Sequence, residues 1–288
     1  MKKTDFFSCE GWIKAESPIY HGGSEKNGST PVLRTIYIYT DEGEVPLPYI
    51  NGNAIRGRQR RYLMKDFFDL IGLPPESLQP KLYHVFFSGG NLEDLADGTS
   101  GCIDLELRRN IYRLVPSLSL MGCAIGNQVL KGKLQVGHAF PVCREFRDYL
   151  PDSLKKDKRA SMHVKAFTDE SFITRKDDLK ITREQDENAI QMKIDFECFI
   201  PGTLFYHWFA LEYATEIEMA AFCRMLELMR LSPFLGGMSA AGNGKFSFHY
   251  EPEPSGSEPY VSYVIDHAGE IQEFLLELEG RLGKKKRK

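Results

Sequence analysis

Residues 216–250 read EIEMAAFCRMLELMRLSPFLGGMSAAGNGKFSFHY, and this stretch sets the fold class. Met219, Phe222, Cys223, Leu226 and Met229 recur at helical spacing and form one apolar face, so the spacing predicts a helix over 216–231. Ser232-Pro233 ends it. Small residues follow, in the run Gly236-Gly237-Met238-Ser239-Ala240-Ala241-Gly242-Asn243-Gly244-Lys245, and then a strand from Lys245 to Tyr250. Glycines admit positive φ and let a ligand approach backbone N–H groups. Their order decides what they cannot be. P-loop and Rossmann glycines lie between a strand and the following helix, whereas these lie between a helix and the following strand, with no Ser or Thr after Lys245.

Working outward, Gln191–Phe199 and Thr203–Tyr213 both read as strands and are expected to pair as a hairpin. Lys133–Val142 reads as a strand. Apolar residues at Ile55, Tyr62, Leu63, Phe67, Leu70 and Ile71 predict a helix over 52–71, with Asn51 or Asn53 as N-cap and Gly72 with Pro74-Pro75 as the stop. Phe6–Ala15 is the first strand, and Thr35–Tyr39 with Val45–Ile50 forms a hairpin around Asp41-Glu42-Gly43. The core order is therefore strand, helix, strand, strand, helix, strand. This is an α+β arrangement, the ferredoxin-like or RRM-like split βαβ unit. Its elements at 6–15, 52–71, 133–142, 191–213, 216–231 and 245–250 make one domain over 1–250. Residues 73–130 are expected to be an insertion forming an additional subdomain. Residues 151–190, rich in Lys, Arg and Asp, are expected to leave the core as an extended excursion. Residues 251–288 read as a Pro/Ser linker, an amphipathic helix from Ala268 to Leu282, and a basic tail, Lys284–Lys288.

The net charge of −3 over 288 residues excludes a uniformly basic surface. Any nucleic-acid role must rest on local clusters, such as 53–65, where Arg56, Arg58, Arg60, Arg61 and Lys65 occur with no acid. The six cysteines form no C-x-x-C pair and read as free thiols in a reducing cytosol. No apolar signal core follows Met1, and no stretch has the length and apolarity of a membrane span. No metal ligands, cofactor motif or Ser/His/Asp spacing stands out, so no catalytic residue, metal or cofactor is assigned.

Four places could carry function. A helix opening at Asn53 with Arg56, Arg58, Arg60 and Arg61 in its first turns could receive phosphate. The glycine run could be a phosphate cradle or a plain turn. His21, beside Gly22, Gly23 and Ser24, could cap a turn, touch phosphate or act as general acid or base. The excursion carries Arg175, Lys176 and Arg183, which could contact nucleic acid or stay solvated.

Taken in order, these motifs resemble the RAMP superfamily of CRISPR-associated proteins. His21-Gly22-Gly23-Ser24 follows the first strand, and Pro31-Val32-Leu33-Arg34 comes next. Pro48-Tyr49-Ile50-Asn51-Gly52-Asn53-Ala54-Ile55-Arg56-Gly57 is similar to the family's helix entry. Leu120-Met121-Gly122 and Gly202-Thr203-Leu204-Phe205 resemble its L-F-G turn and G-T-x-F strand. The glycine run from Leu235 resembles its glycine loop. The resemblance spans 10–248 and is nearest the backbone subunit that polymerises along guide RNA in class 1 effector complexes. It implies that the 151–190 excursion is a thumb folding over the guide. It also implies guide contacts from His21, Gly22, Gly23, Ser24, Asn53, Arg56, Arg58, Arg60, Arg61, Arg175, Lys176, Arg183, Gly236, Gly237, Met238, Ser239, Gly242 and Lys245. The partners implied are guide RNA, copies of the chain along it, other effector subunits and target nucleic acid paired to the guide, in the cytoplasm and away from membranes. The aspartate of target-cleaving type III subunits is missing before Pro31, where Asn27-Gly28-Ser29-Thr30 stands, and Met-Gly replaces Phe-Gly in the turn. The missing aspartate implies a subunit that does not cleave target RNA, and both departures point toward a type IV or type I-D-like complex, with type IV favoured. The alternative within the superfamily is an endoribonuclease that processes precursor guide RNA with His21 as general acid or base.

Overall fold

The structure is a computed structural model that describes residues 3–27, 30–92, 103–175 and 192–283. The first half runs β1 (Lys3–Ala15), β2 (Gly22–Asn27), β3 (Thr30–Leu33), β4 (Thr35–Thr40), β5 (Gly43–Pro48), α1 (Gly52–Leu70), α2 (Pro80–Ser88), α3 (Leu105–Leu114) and α4 (Pro116–Met121). Then come β6 (Cys123–Ile125), β7 (Gln128–Leu130), β8 (Leu134–Val136), β9 (Phe140–Pro141), α5 (Asp152–Lys155), β10 (Thr168–Arg175) and β11 (Met192–Phe199). The chain closes with β12 (Leu204–Thr215), α6 (Glu216–Leu231), β13 (Phe246–Glu251), α7 (Glu258–Asp266) and α8 (Ala268–Gly283).

The central sheet is antiparallel in the order β13-β1-β12-β8, with β9 also on β12. Numbering the four core strands by chain order gives 4-1-3-2, the order of a split βαβ unit. Alternation fixes what each face meets. Phe7, Cys9 and Ile13 of β1 share a face with Phe205, His207 and Phe209 of β12 and with Phe246 and Tyr250 of β13. That face packs on α1 and α6 through residues such as Phe222, Leu226, Leu63 and Phe67. Tyr250 donates or accepts a 2.9 Å bond with His207 Nδ1 inside this core. Burial drives the His207 pKa down to about 3, so the imidazole stays neutral.

Four sequence expectations change. Residues 191–213 do not form a hairpin: β11 pairs with β10, and only β12 joins the central sheet. Phe199 exchanges two 2.9 Å backbone bonds with Ile19, which diverts β11 before the Pro201-Gly202 turn. Alternation locates a strand but does not choose its partner. Residues 151–167 do not leave the core either. Leu154, Ala160, Val164 and Phe167 pack with Leu47, Val142, Phe146 and Leu204 in a second apolar cluster, and the β10–β11 ribbon follows it in the chain. The strand expected over 133–142 is split into β8 and β9 by Gly137-His138-Ala139. Finally, α7 occupies part of the segment after 251, with Tyr260 and Val264 buried alongside Ile271 and Leu275 of α8 in the main core. The helices of the 73–130 stretch contribute Leu82, Phe86, Leu107 and Ile111 to that same core.

The turn from β12 into α6 is locked electrostatically. Thr215 and Glu218 form a capping box. The Glu218 carboxylate, only 2 % exposed, also accepts from Lys133 Nζ at 2.6 and 2.7 Å and from Ser119. Burial alone would raise the Glu218 pKa, but these donors outweigh it and hold the group below its ordinary value. Glu218→Ala is expected to destabilise the fold by about 3–5 kcal/mol, because it strands a partly buried lysine and removes the cap. The urea midpoint measures this; a midpoint within error of the wild type would contradict it.

Candidate nucleic-acid interface

The segment 16–21 links three motifs that are far apart in sequence. On one side it zips to the glycine loop. Gly237 N donates to Tyr20 O at 2.9 Å, Gly244 N to Pro18 O at 2.7 Å, and Glu16 N and Ser17 N to Lys245 O. Lys245 N donates to Ser17 Oγ at 2.8 Å. Glycine is required at two of these points. Gly236 (φ 77°) and Gly244 (φ 89°) lie in the left-handed region, and a Cβ there would meet Tyr20 O at 2.2 Å and Leu235 O at 2.1 Å. The tip is open: Ala240, Ala241 and Gly242 are exposed, and the Met238 and Ser239 N–H groups take no part in the zip. Lys245 reaches back to Glu16 at 3.2 Å.

On its other side the segment meets the start of α1. His21 Nε2 accepts from Asn51 N at 3.1 Å, and His138 Nδ1 accepts from Gly52 N at 2.9 Å. Asn51 is the N-cap and accepts from Asn53 N at 2.8 Å. Sequence expected free N–H groups here for phosphate; instead the first donors of the helix are already satisfied, while the Asn53 side chain stays exposed. His138 was not legible in advance, because Gly137-His138 lay inside what read as one strand. Gly52 fits only as glycine: a Cβ would touch Gly137 O and Val136 O at 2.5 Å.

The cations of α1 divide by helical period. Arg56 and Arg60, one turn apart, point inward. Arg56 donates to Leu134 O at 2.5 Å and Met121 O at 2.7 Å. Arg60 is 8 % exposed and donates to Met121 O at 2.8 Å, Gly122 O at 2.7 Å and Phe86 O at 3.3 Å. The Met121 and Gly122 carbonyls lie at the C-terminal end of α4, where a cation is favoured. Burial lowers Arg60 to about 10, which leaves it charged at neutral pH. Both guanidiniums hold the fold together, and sequence could not tell them from the outward pair. Arg61 and Lys65 are exposed and Arg58 is half-buried.

Of the remaining expected positions, Gly22 and Gly23 open β2, where a Cβ on Gly23 would sit 3.3 Å from Arg34 Cα. Arg175 ends β10; Lys176 and Arg183 lie outside the described residues. The ribbon is tied in where Glu197 of β11 accepts from Leu33 N at 2.8 Å.

The outer face of the central sheet offers a contrasting surface. Phe6, Tyr206 and Trp208 line a depression of about 550 Å³ there together with Glu10 and Glu251, and no lysine or arginine lines it. Tyr206 donates to Glu10 at 2.7 Å. Among the described residues no group of three or more His, Cys, Asp or Glu is placed to hold a metal, and no helix is long and apolar enough to cross a membrane. Cys9, Cys123, Cys143, Cys198 and Cys223 are buried free thiols.

No family model matches the sequence, and no curated protein matches it. A solved structure described as a Type IV-B CRISPR complex contains a chain of similar fold, with a TM-score of 0.60 and 22 % identity over 85 % of this chain and 90 % of that one.

Protonation of His21 would destroy the acceptor that Asn51 N requires. Burial, helped by the Arg34 charge, lowers its pKa from 6.5 to about 4. Between these values the unfolded chain binds more protons than the folded one, so this contribution is full above 6.5 and is lost as pH falls toward 4. The stability gap between wild type and His21→Asn, measured by denaturant melts, is expected to narrow across that window. A gap that stays constant would contradict the assignment.

Proposed function

We propose that this chain is a guide-RNA-binding backbone subunit that multimerises along RNA in a CRISPR effector ribonucleoprotein of type IV character, and that it binds RNA without cutting it. The observation that carries this reading is the convergence of residues 16–23, the start of α1 and the glycine loop on one seam. The resemblance read in the sequence names these same motifs, and the fold is that of a chain in a Type IV-B CRISPR complex.

The seam suits a sequence-independent ligand. It offers backbone N–H groups at the glycine tip, the exposed Asn53 and the outward cations Arg58, Arg61 and Lys65. Phosphate contacts of this kind give affinity without base choice and strong salt dependence. RRM domains read RNA on the aromatic face of the sheet. Here that face carries Glu10 and Glu251, which repel phosphate, so the strand is assigned to the helix-and-loop side. The β10–β11 ribbon is then the thumb, and the copies of the chain and other subunits assemble around the covered guide.

The absence of cleavage is supported by His21. Its Nε2 lone pair is occupied by Asn51 N, and a pKa near 4 makes it a poor base at neutral pH. Incubation with repeat RNA separates the readings: intact RNA is expected, and cleavage abolished by His21→Ala would establish the endoribonuclease instead.

Purified protein is expected to retain RNA at modest salt and to form multimers on it, seen by size-exclusion chromatography with absorbance ratio. Arg58→Glu with Arg61→Glu is expected to weaken binding and to lower the slope of log K against log salt by about 2, one per lost phosphate contact. Monomers that retain no RNA would overturn the proposal.

A further inference from the structure

A cleft of about 690 Å³ lies between α1, α2 and Ser232, within the size range of small-ligand sites. Two kinds of group converge on it. Arg58, Arg61 and Lys65 recur at i, i+3 and i+7 along α1 and line one wall. Arg58 Nε donates to the Tyr62 hydroxyl at 2.8 Å, and Tyr62 in turn is fixed to Ser232 O at 2.9 Å. Arg61 and Lys65 have no ion-pair partner among the described residues, although Asp69 and Glu76 also line the cleft.

The second group is an aromatic ladder that runs from α1 across to α2. Phe68 is fully buried. Phe87 stacks on it at 6.0 Å and 19°, and Tyr83 stacks on Phe87 at 4.5 Å and 20°. The terminal ring is 43 % exposed. A stack that begins in the core and ends in a cleft presents a rigid, pre-oriented ring surface at its open end. A planar ligand that also carries an anion satisfies both groups at once, and a nucleotide has that chemistry.

We propose that this cleft is a nucleotide subsite for single-stranded RNA, in which one base stacks on Tyr83 while the adjoining phosphates meet Arg61 and Lys65. This rests on the RNA-binding reading and extends it. Along α1 the rise from Asn53 to Lys65 is about 18 Å, so a strand following the outward cations runs from the His21 seam into the cleft. Ser232, at the cleft's edge, lies four residues before Gly236 of the glycine loop.

The test uses the full chain and fluorescence anisotropy with two probes, a labelled oligouridylate and an abasic oligomer of equal length. Tyr83→Ala is expected to weaken the oligouridylate about tenfold, the loss of one stacked base, and to leave the abasic oligomer unchanged. The unchanged abasic binding by Tyr83→Ala excludes misfolding as the cause, and Tyr83→Phe, which keeps the ring, is expected to bind both probes as the wild type does. Arg61→Glu with Lys65→Glu is expected to weaken both probes. If the wild type binds oligouridylate and the Tyr83→Ala chain binds it equally well, the subsite is overturned while the RNA-binding reading stands. Equal loss of both probes on Tyr83→Ala overturns the stacking assignment. If the wild type binds neither probe, the broader reading fails first.

Discussion

Hydrogen bonds from residues 16–21, most of them backbone to backbone, hold the glycine loop, β11 and the start of α1 together. Six residues after β1 bond to the glycine loop through Pro18 and Tyr20, to β11 through Ile19, and to the start of α1 through His21. Each of these partners comes from a different part of the chain. A backbone group left unpaired in such a seam would cost free energy comparable to a lost hydrogen bond. The positive-φ glycine at 236 follows from the seam, since a side chain there would collide with Tyr20 O, and the one at 244 from the closure of the loop on Leu235 O.

Helix α1 shows how one basic stretch serves two ends. Its inward arginines bind carbonyls at the end of α4 and fix the 116–122 segment against the core. Its outward cations Arg61 and Lys65 stay exposed. A cation in the first helical turn is disfavoured by the dipole; Arg56 is balanced there by carbonyl oxygens of neighbouring segments. The sheet presents a different surface, because the depression on its aromatic face is lined by Glu10 and Glu251. The carboxylates of that depression and the outward cations of α1 thus lie on different surfaces of the molecule.

The core elements were legible because their hydrophobic periods were local. α6 is set by Met219, Phe222, Leu226 and Met229, and its bounds coincide with the spacing. Partner choice was not legible. β11 and β12 both alternate, and only the long-range bonds of Phe199 to Ile19 decide that they part. The same limit explains the candidate site. Arg56 and Arg60 are chemically like Arg58 and Arg61, and only the position of α4, set by tertiary packing, tells them apart. His138 was hidden inside an apolar run. The Tyr83–Phe87 pair stood at i, i+4 spacing in the sequence, yet its exposure depended on where α2 packs.

The central claim is that RNA lies along the seam and α1, away from the open sheet face. Ultraviolet cross-linking of the RNA-bound protein, followed by mass spectrometry of the linked peptides, tests it directly. The account predicts cross-links in residues 16–24, 51–65 and 236–245. Cross-links concentrated at Trp12, Tyr206 and Trp208 on the sheet face, with none along the seam, would contradict it.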